Sequence, residues 1–141
     1  MLNKKHINNF QNILPKNYVL SEPGDCWAYG YDNSKMHVMP ECVLFANNKD
    51  QIQNIIKYCF TENISITARG RGTGNTGGSV PTNNSIVLSL EKMNKILNID
   101  TKNRLVVVEP GVINKDLQDK LYNLNFLWGP EPSSLEYSTI G

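Results

Sequence analysis

Apolar and polar positions follow two periods along the chain, and the switches between them mark its elements. Ile7, Phe10, Ile13 and Leu14 recur at helical spacing within residues 4–14, and Pro15 ends the pattern. This predicts a short amphipathic helix, a lid or a packing element. "SEPGD" (21–25) reads as a turn, and the aromatic-rich stretch 26–40 as loop. "CVLFA" (42–46) is a continuous apolar run of strand length, the signature of a buried strand. Ile52, Ile55, Ile56, Cys59 and Phe60 then fall at i, i+3, i+4, i+7 and i+8. That spacing predicts a helix burying the whole stripe, with Asn47, Asn48 or Asp50 as its cap. "ISITA" (64–68) returns to strand. Strand, helix and strand in this length make a βαβ unit, hence two parallel strands joined by a right-handed crossover.

"SIVLSL" (85–90) is a third strand, and "KILNID" and "RLVVVEPG" form a hairpin across "DTKN". Asn114 is placed to cap a last helix carrying Leu117, Leu121 and Leu124, and "FLWGPEPSS" (126–134) is a proline-broken loop. The expected class is α/β (α+β), with a βαβ unit and a short N-terminal helix.

At 141 residues the chain has the length of one domain, and 40% hydrophobic with 19% charged residues makes it globular. A net charge of +1 gives no reason to expect nucleic acid or an anionic membrane as partner. No apolar run is long enough to span a membrane. Cys26, Cys42 and Cys59 show no metal-ligand spacing, so no metal site is expected, and a reduced, cytoplasmic setting fits them.

The densest chemical signal is "RGRGTGNTGGSVP" (69–81). A flexible linker is disfavoured, because the run lies between two strand candidates within one domain. Gly72, Gly74 and Gly77 match G-x-G-x-x-G, but that motif must open a helix, and "GSVPTNNS" will not sustain one. No Gly-Lys-Ser/Thr ends the run, so it is not a P-loop. What remains is a nest of backbone N–H groups, which binds anions without a helix. Thr73, Asn75, Thr76 and Ser79 add side-chain donors, and Arg69 and Arg71 can balance charge or pair with surface carboxylates. This pattern favours a nucleotide with two phosphates.

Several segments together carry a resemblance. "ARGRGTGNTGGSVP", "AYGYDNS" (28–34), "VVVEPGV" (106–112) and "GPEPSSLEYSTIG" (129–141) stand in the order found in the FAD-linked oxidases with a vanillyl-alcohol-oxidase or PCMH-type flavin domain. The chain is most similar to the branch of the glycolate oxidase flavin subunit and the D-lactate and D-2-hydroxyglutarate dehydrogenases. The resemblance covers residues 22–141 and implies a partial FAD-binding domain there, with residues 1–21 before it as a helical segment. It implies that Gly70, Arg71, Gly72, Thr73, Gly74 and Asn75 wrap the FAD pyrophosphate, and that Gly77, Gly78 and Ser79 complete the loop. Pro132, Ser133, Ser134, Thr139 and Gly141 would lie along the rest of the cofactor. Some relatives attach FAD through a histidine in the first loop; this loop has none, so non-covalent FAD is expected. Ala46 and Glu131 stand where the family often has proline and aspartate.

Family members are several times longer, so the second half of the flavin domain and the substrate domain are expected outside these residues. Three functions follow as alternatives. The chain is the FAD-binding portion of an oxidoreductase of 2-hydroxy acids, inactive alone; or a module that holds FAD without catalysis; or a remnant or split-enzyme subunit, pairing with a second copy or a missing C-terminal polypeptide. No residue qualifies as a catalytic base, and His37 reads as structural.

Overall fold

The computed structural model describes residues 2–141. The chain forms α1 (Lys4–Ile13), β1 (Val19–Leu20), α2 (Pro23–Cys26), β2 (Cys42–Phe45), α3 (Lys49–Thr61), β3 (Ser65–Arg69), β4 (Ser85–Ser89), β5 (Ile96–Asp100), β6 (Leu105–Val108) and α4 (Asn114–Tyr122). The mixed α/β class is as expected.

Four strands make one sheet in the order β1-β2-β4-β3. β2 and β3 both run parallel to β4 and flank it, so the two strands of the βαβ unit are parallel without being neighbours. The sequence accounts for this order. β2 is apolar throughout, β4 is apolar between Ser85 and Ser89, and both are fully buried, as central strands are, whereas β3 exposes Ser65 and Ala68, as an edge strand tolerates. Side chains leave β2 and β4 alternately. Cys42, Leu44, Ile86 and Leu88 face α1 and α3, while Val43, Phe45 and Val87 face Cys26, Leu20 and Tyr29.

α1 is a packing element and not a lid. Asn3 caps it by accepting from the His6 amide at 3.1 Å, and Phe10 and Leu14 are buried against the sheet. α3 starts as expected, with the Asn48 side chain accepting from the Gln51 amide at 2.9 Å. Its buried stripe is narrower than the periodicity suggested. Ile55 and Cys59 are buried, but Ile56 is half exposed and Phe60 is 85% exposed. The helix presents one ridge to the sheet, and α1 does not reach around to cover i+4 and i+8.

Other departures are local. "SEPGD" is a turn of helix, not a plain turn, because Pro23 occupies its first position, where no N–H is needed. A 3₁₀ turn over Trp27–Tyr29 and a bridge between Tyr31 and His37 organise the expected loop 26–40. β1, two residues long, adds an antiparallel edge to β2 that no sequence pattern announced.

β5 and β6 form a separate two-stranded sheet, closed by the Asp100 carboxylate, which accepts from the Lys102 and Asn103 amides at 3.1 and 3.0 Å. α4 covers one face of it through Leu117 and Leu121. Asn114 is the first residue of α4 rather than its cap, a place taken by Ile113, and Leu124 lies beyond the helix end.

The three cysteines are free and buried. Burial pushes the Cys26 and Cys59 thiols from 9.0 up to about 11, with Asp25 adding to the effect on Cys26, and burial raises Cys42 further. Thiols of the unfolded chain therefore ionise before those of the fold. Their contribution to stability is complete below the unfolded value and is lost as pH rises through the folded one. The melting temperature is expected to fall between about pH 9 and about pH 11, and a thermal-shift series in Cys59→Ala should give a shallower decline over that window.

Candidate cofactor-binding site

The C-terminal ends of parallel β3 and β4 lie side by side, and the segment from Gly70 to Asn84 leaves the first and returns to the start of the second. The carboxyl ends of parallel strands are where α/β sheets place ligands. No helix follows the glycines; residues 78–84 run through turns into β4. The dinucleotide fingerprint with its helix is thereby excluded on structural grounds.

Gly72 (φ +67°) and Gly77 (φ +80°) adopt left-handed backbone, which side chains disfavour. At Gly72 an added methyl would also overlap the Arg69 guanidinium, and at Gly77 the end of Met36. Gly78 has nothing within 4 Å of that position and is exposed, and Gly74 meets only Asp32 Oδ2 at 3.8 Å. The loop is therefore braced from within and bare along one side. Ser79 Oγ is buried and has no hydrogen-bond partner among the described residues.

Arg69 and Arg71 diverge. Arg69 is buried, donates from Nη1 to the Tyr31 carbonyl at 2.6 Å and lies 5.7 Å over the Tyr29 ring. Burial lowers its pKa, against the opposing pull of Tyr29, Tyr31, Asp32 and Glu91. It supports the loop from beneath and is turned away from any ligand on the bare side. Arg71 is half exposed at the rim, 3.9 Å from the Glu91 carboxylate.

Residues 28–34 hold the other flank. The Asn33 amide donates to the Gly74 carbonyl at 2.9 Å, and its side chain donates to the Thr73 carbonyl at 3.2 Å. The neighbouring Asp32 carboxylate is buried and accepts from the Ser34 amide at 2.9 Å. Periodicity could not find these contacts. The only signal was the polar run "YDNS", whose Asp-x-Ser spacing suits a local turn.

A second loop closes on the first. Thr139 bridges Ile113, the Ile140 amide donates to Val112, and the Gly141 amide donates to Pro110, both at 2.9 Å. Thr139 and Gly141 thereby sit against Gly70, where a methyl would overlap Thr139 Oγ1 and approach the Gly141 carbonyl to 2.8 Å. Behind them a polar chain is closed: Trp128 Nε1 donates to Asn114 Oδ1 at 3.0 Å, and Asn114 Nδ2 donates to Ser138 Oγ at 2.9 Å. Asn114 thus pins the second loop to α4. Pro132, Ser133 and Ser134 form the turn that leads to Thr139, with Pro132 and Ser134 carbonyls accepting from Leu135 and Ser138. No hydrogen bond joins these three to the glycine loop among the described residues.

The His37 ring lies tilted against Trp27, 5.0 Å between centroids, and its Nε2 lies 3.3 Å from the Trp27 carbonyl. No group of three or more His, Cys, Asp or Glu that would hold a metal occurs among the described residues. No helix among them is long and apolar enough to cross a membrane.

A family model described as the FAD binding domain matches residues 40–141. The glycolate oxidase subunit GlcD of Bacillus subtilis is 37% identical over 128 residues, which cover 90% of this chain and 27% of that protein. A D-lactate dehydrogenase of Archaeoglobus fulgidus is 34% identical over 133 residues, covering 91% of this chain and 29% of that one. Among solved structures, p-cresol methylhydroxylase aligns with a TM-score of 0.76 at 28% identity, over 86% of this chain and 24% of that chain. An alkyldihydroxyacetonephosphate synthase aligns over all of this chain and 31% of that one, with a TM-score of 0.86; at 16% identity this is a likeness of fold alone. The chain spans under a third of the length of these relatives.

Proposed function

As the chain belongs to the FAD-linked oxidase family, FAD-dependent oxidoreductases that share this FAD binding domain, we propose that it is the pyrophosphate-binding portion of an enzyme acting on 2-hydroxy acids of the glycolate or D-lactate type. The observation that carries this reading is the bare side of the glycine loop. Gly74 and Gly78 leave room for a ligand to approach the backbone, while Gly72 and Gly77 turn the chain through left-handed geometry. Successive amides in such a loop converge on an anion, each charge-assisted bond being worth about 1.5–3 kcal/mol. The orphaned Ser79 hydroxyl is a further donor. The residues fit a diphosphate, and the absence of histidine from the loop fits non-covalent attachment.

In this reading Gly70, Arg71, Gly72, Thr73, Gly74, Asn75, Gly77, Gly78 and Ser79 hold the pyrophosphate, with Arg71 supplying charge at the rim. Pro132, Ser133, Ser134, Thr139 and Gly141 form the adjoining wall, which the Trp128–Asn114–Ser138 hydrogen bonds keep in place. When bound, the flavin supplies the acceptance of a hydride from the substrate's α-carbon. The protein's part here is to bind and orient. Residues 22–141 serve as this part of the domain and residues 1–21 brace it, in a cytoplasmic setting that the three unpaired thiols suit.

In this reading turnover draws on further polypeptide, as the chain spans under a third of the length of its relatives. One observation favours such a partner. The β5–β6 hairpin turns Leu97, Leu105 and Val107 outward, and an apolar cleft of about 600 Å³ opens between the hairpin and α4. A two-stranded sheet is marginal alone and gains from added strands.

Fluorescence titration tests the assignment. Saturable FAD binding is expected, competed by ADP and not by riboflavin, with no oxidation of glycolate or D-lactate by the chain alone. Binding of riboflavin with equal strength, or no binding of FAD or ADP, would remove the pyrophosphate reading.

A further inference from the structure

We infer that Gly111 is a positioning residue for the cofactor cleft: its missing side chain lets the turn after β6 lie against the turn after β4, and this contact sets the second loop beside the glycine loop. The inference rests on the proposed FAD reading for its purpose but not for its geometry. The hydrophobic core of the β5–β6 hairpin and α4, built on Val112, Leu117 and Leu121, shares no residue with the two cores on the four-stranded sheet. The glycine loop rises from that sheet, whereas the second loop is tied to the hairpin and α4. The spacing of the two loops is therefore fixed where the two units touch. One touching point is Gly70 against Thr139 and Gly141. The other is a pair of turns. In the first, the Met93 amide donates to the Leu90 carbonyl at 2.9 Å; in the second, the Val112 amide donates to the Glu109 carbonyl at 3.2 Å. Gly111, buried in the second turn, donates from its amide to the Met93 carbonyl at 2.7 Å. A methyl on Gly111 would overlap the Leu90 carbonyl and come within 2.7 Å of the Met93 carbonyl oxygen. Both are backbone atoms, which cannot rotate away as a side chain does. The φ of Gly111 is not left-handed, so the neighbouring turn demands glycine and its own turn does not.

Hydrogen bonds carry this contact to the site. On either side of Gly111, the Pro110 carbonyl accepts from the Gly141 amide and the Val112 carbonyl from the Ile140 amide, both at 2.9 Å. Thr139 and Gly141 then meet Gly70 at the end of β3, and the Leu90 amide donates to the Arg69 carbonyl at 2.9 Å, which returns the path to the end of β4. The contacts close a ring, and glycine stands at each of its close approaches. Gly70 meets Thr139, Gly111 meets Leu90 and Met93, and a methyl on Gly141 would come within 2.7 Å of the Pro110 Cβ. A shift of the Gly111 turn moves the second loop, whereas the glycine loop stays where β3 and β4 hold it. A ligand that uses the glycine loop alone should feel little of this, and a ligand that spans both loops should feel most of it.

The experiment compares wild type, Gly111→Ala and Ile55→Ala, a core truncation on the α1–α3 face of the sheet, by native-state amide hydrogen exchange of the ligand-free chain and by FAD and ADP titration. In wild type the Gly111 and Ile140 amides should open together, with protection equal to within about 3-fold. In Gly111→Ala the Ile140 amide should exchange at least about 10-fold faster, while Ile86–Leu88 of β4 keep their protection. FAD affinity should fall about 10-fold or more and ADP affinity by less than about 3-fold, so that the ratio of the two changes. Ile55→Ala should lower the melting temperature and leave that ratio as in wild type, which separates a joint from general stability. An unchanged ratio in Gly111→Ala would overturn the inference, as would Ile140 exchange no faster than in wild type. Gly111 and Ile140 amides that open independently in wild type would also overturn it, a result that stands even where Gly111→Ala does not fold. If wild type binds neither FAD nor ADP, the FAD reading fails by itself, and the exchange comparison still decides whether Gly111 holds the second loop.

Discussion

Gly78→Ala is expected to leave the fold as stable as wild type and to weaken FAD binding about 10-fold to 100-fold. The two halves of this result have separate causes. A methyl at Gly78 meets nothing within 4 Å, and its φ is not left-handed, so the folded chain accepts it. Exposed substitutions of this kind stay within about 0.5 kcal/mol in stability. The bare position is where a diphosphate would lie against the backbone, and a methyl there displaces it from at least one amide. One charge-assisted bond is worth about 1.5–3 kcal/mol, which is the expected loss.

Gly70→Ala should behave differently. Its methyl overlaps Thr139 Oγ1 and crowds the Gly141 carbonyl. Neither neighbour can withdraw easily, because residues 139–141 are tied to Ile113, Val112 and Pro110, and the Thr139 hydroxyl itself donates to the Gly141 carbonyl at 2.9 Å. Crowding in a well-packed place costs about 1–3 kcal/mol. Both melting temperature and FAD affinity should fall, since the two loops part. Gly24→Ala, with nothing near it and far along the chain from the loop, is the control that changes neither. Equal FAD affinity in wild type and Gly78→Ala would mean that no ligand approaches the bare side.

The conformation of the glycine loop is legible in the sequence, and the reason is local. Left-handed turns at Gly72 and Gly77 need glycine, so the residues declare the loop. The buried strands β2 and β4 were equally plain, because a strand covered on both faces reads as a continuous apolar run, here Cys42–Phe45 and Ile86–Leu88. What escaped depends on distant partners. Whether β2 pairs with β3 or with β4 is decided by which strand can afford an exposed edge. Ile56 and Phe60 fit the helical stripe of α3, but the width of the covered face is set by how far α1 extends over it. Arg69 sits among the glycines and suggests a phosphate ligand, yet it turns inward to the Tyr31 carbonyl. Asn114 carries no periodic signal; it matters through its hydrogen bond to Ser138, 24 residues along the chain.

Phe10→Ala is expected to cost about 3–5 kcal/mol, a large share of the roughly 5–15 kcal/mol that holds a domain together. The side chain is fully buried, packs edge-on against Tyr58 at 5.4 Å, and shares a core with Leu14, Leu44, Ile55 and Ile86. Phe10 is the one buried residue within α1, whose other ties are the Asn3 cap, Asn9 donating to the Tyr58 hydroxyl at 2.9 Å and the buried Leu14 that follows it. Ten residues are too few for a stable isolated helix, and neither its first nor its last turn carries a charge that favours the helix dipole. Loss of the ring therefore releases α1 and exposes the face of β2 and α3 beneath it. For a chain of this size the melting temperature should drop by about 10–20 °C. Phe10→Leu, which keeps most of the volume, should lose far less. The same variants separate a packing helix from a lid. A lid residue would alter the rates of ligand entry and release and leave melting almost unchanged. Phe10 lies on the α1–α3 face of the sheet, and the glycine loop rises from the ends of β3 and β4. At a temperature where Phe10→Ala is still folded, its FAD affinity should therefore match wild type, and a change in FAD off-rate without a change in melting would return α1 to the role of a lid.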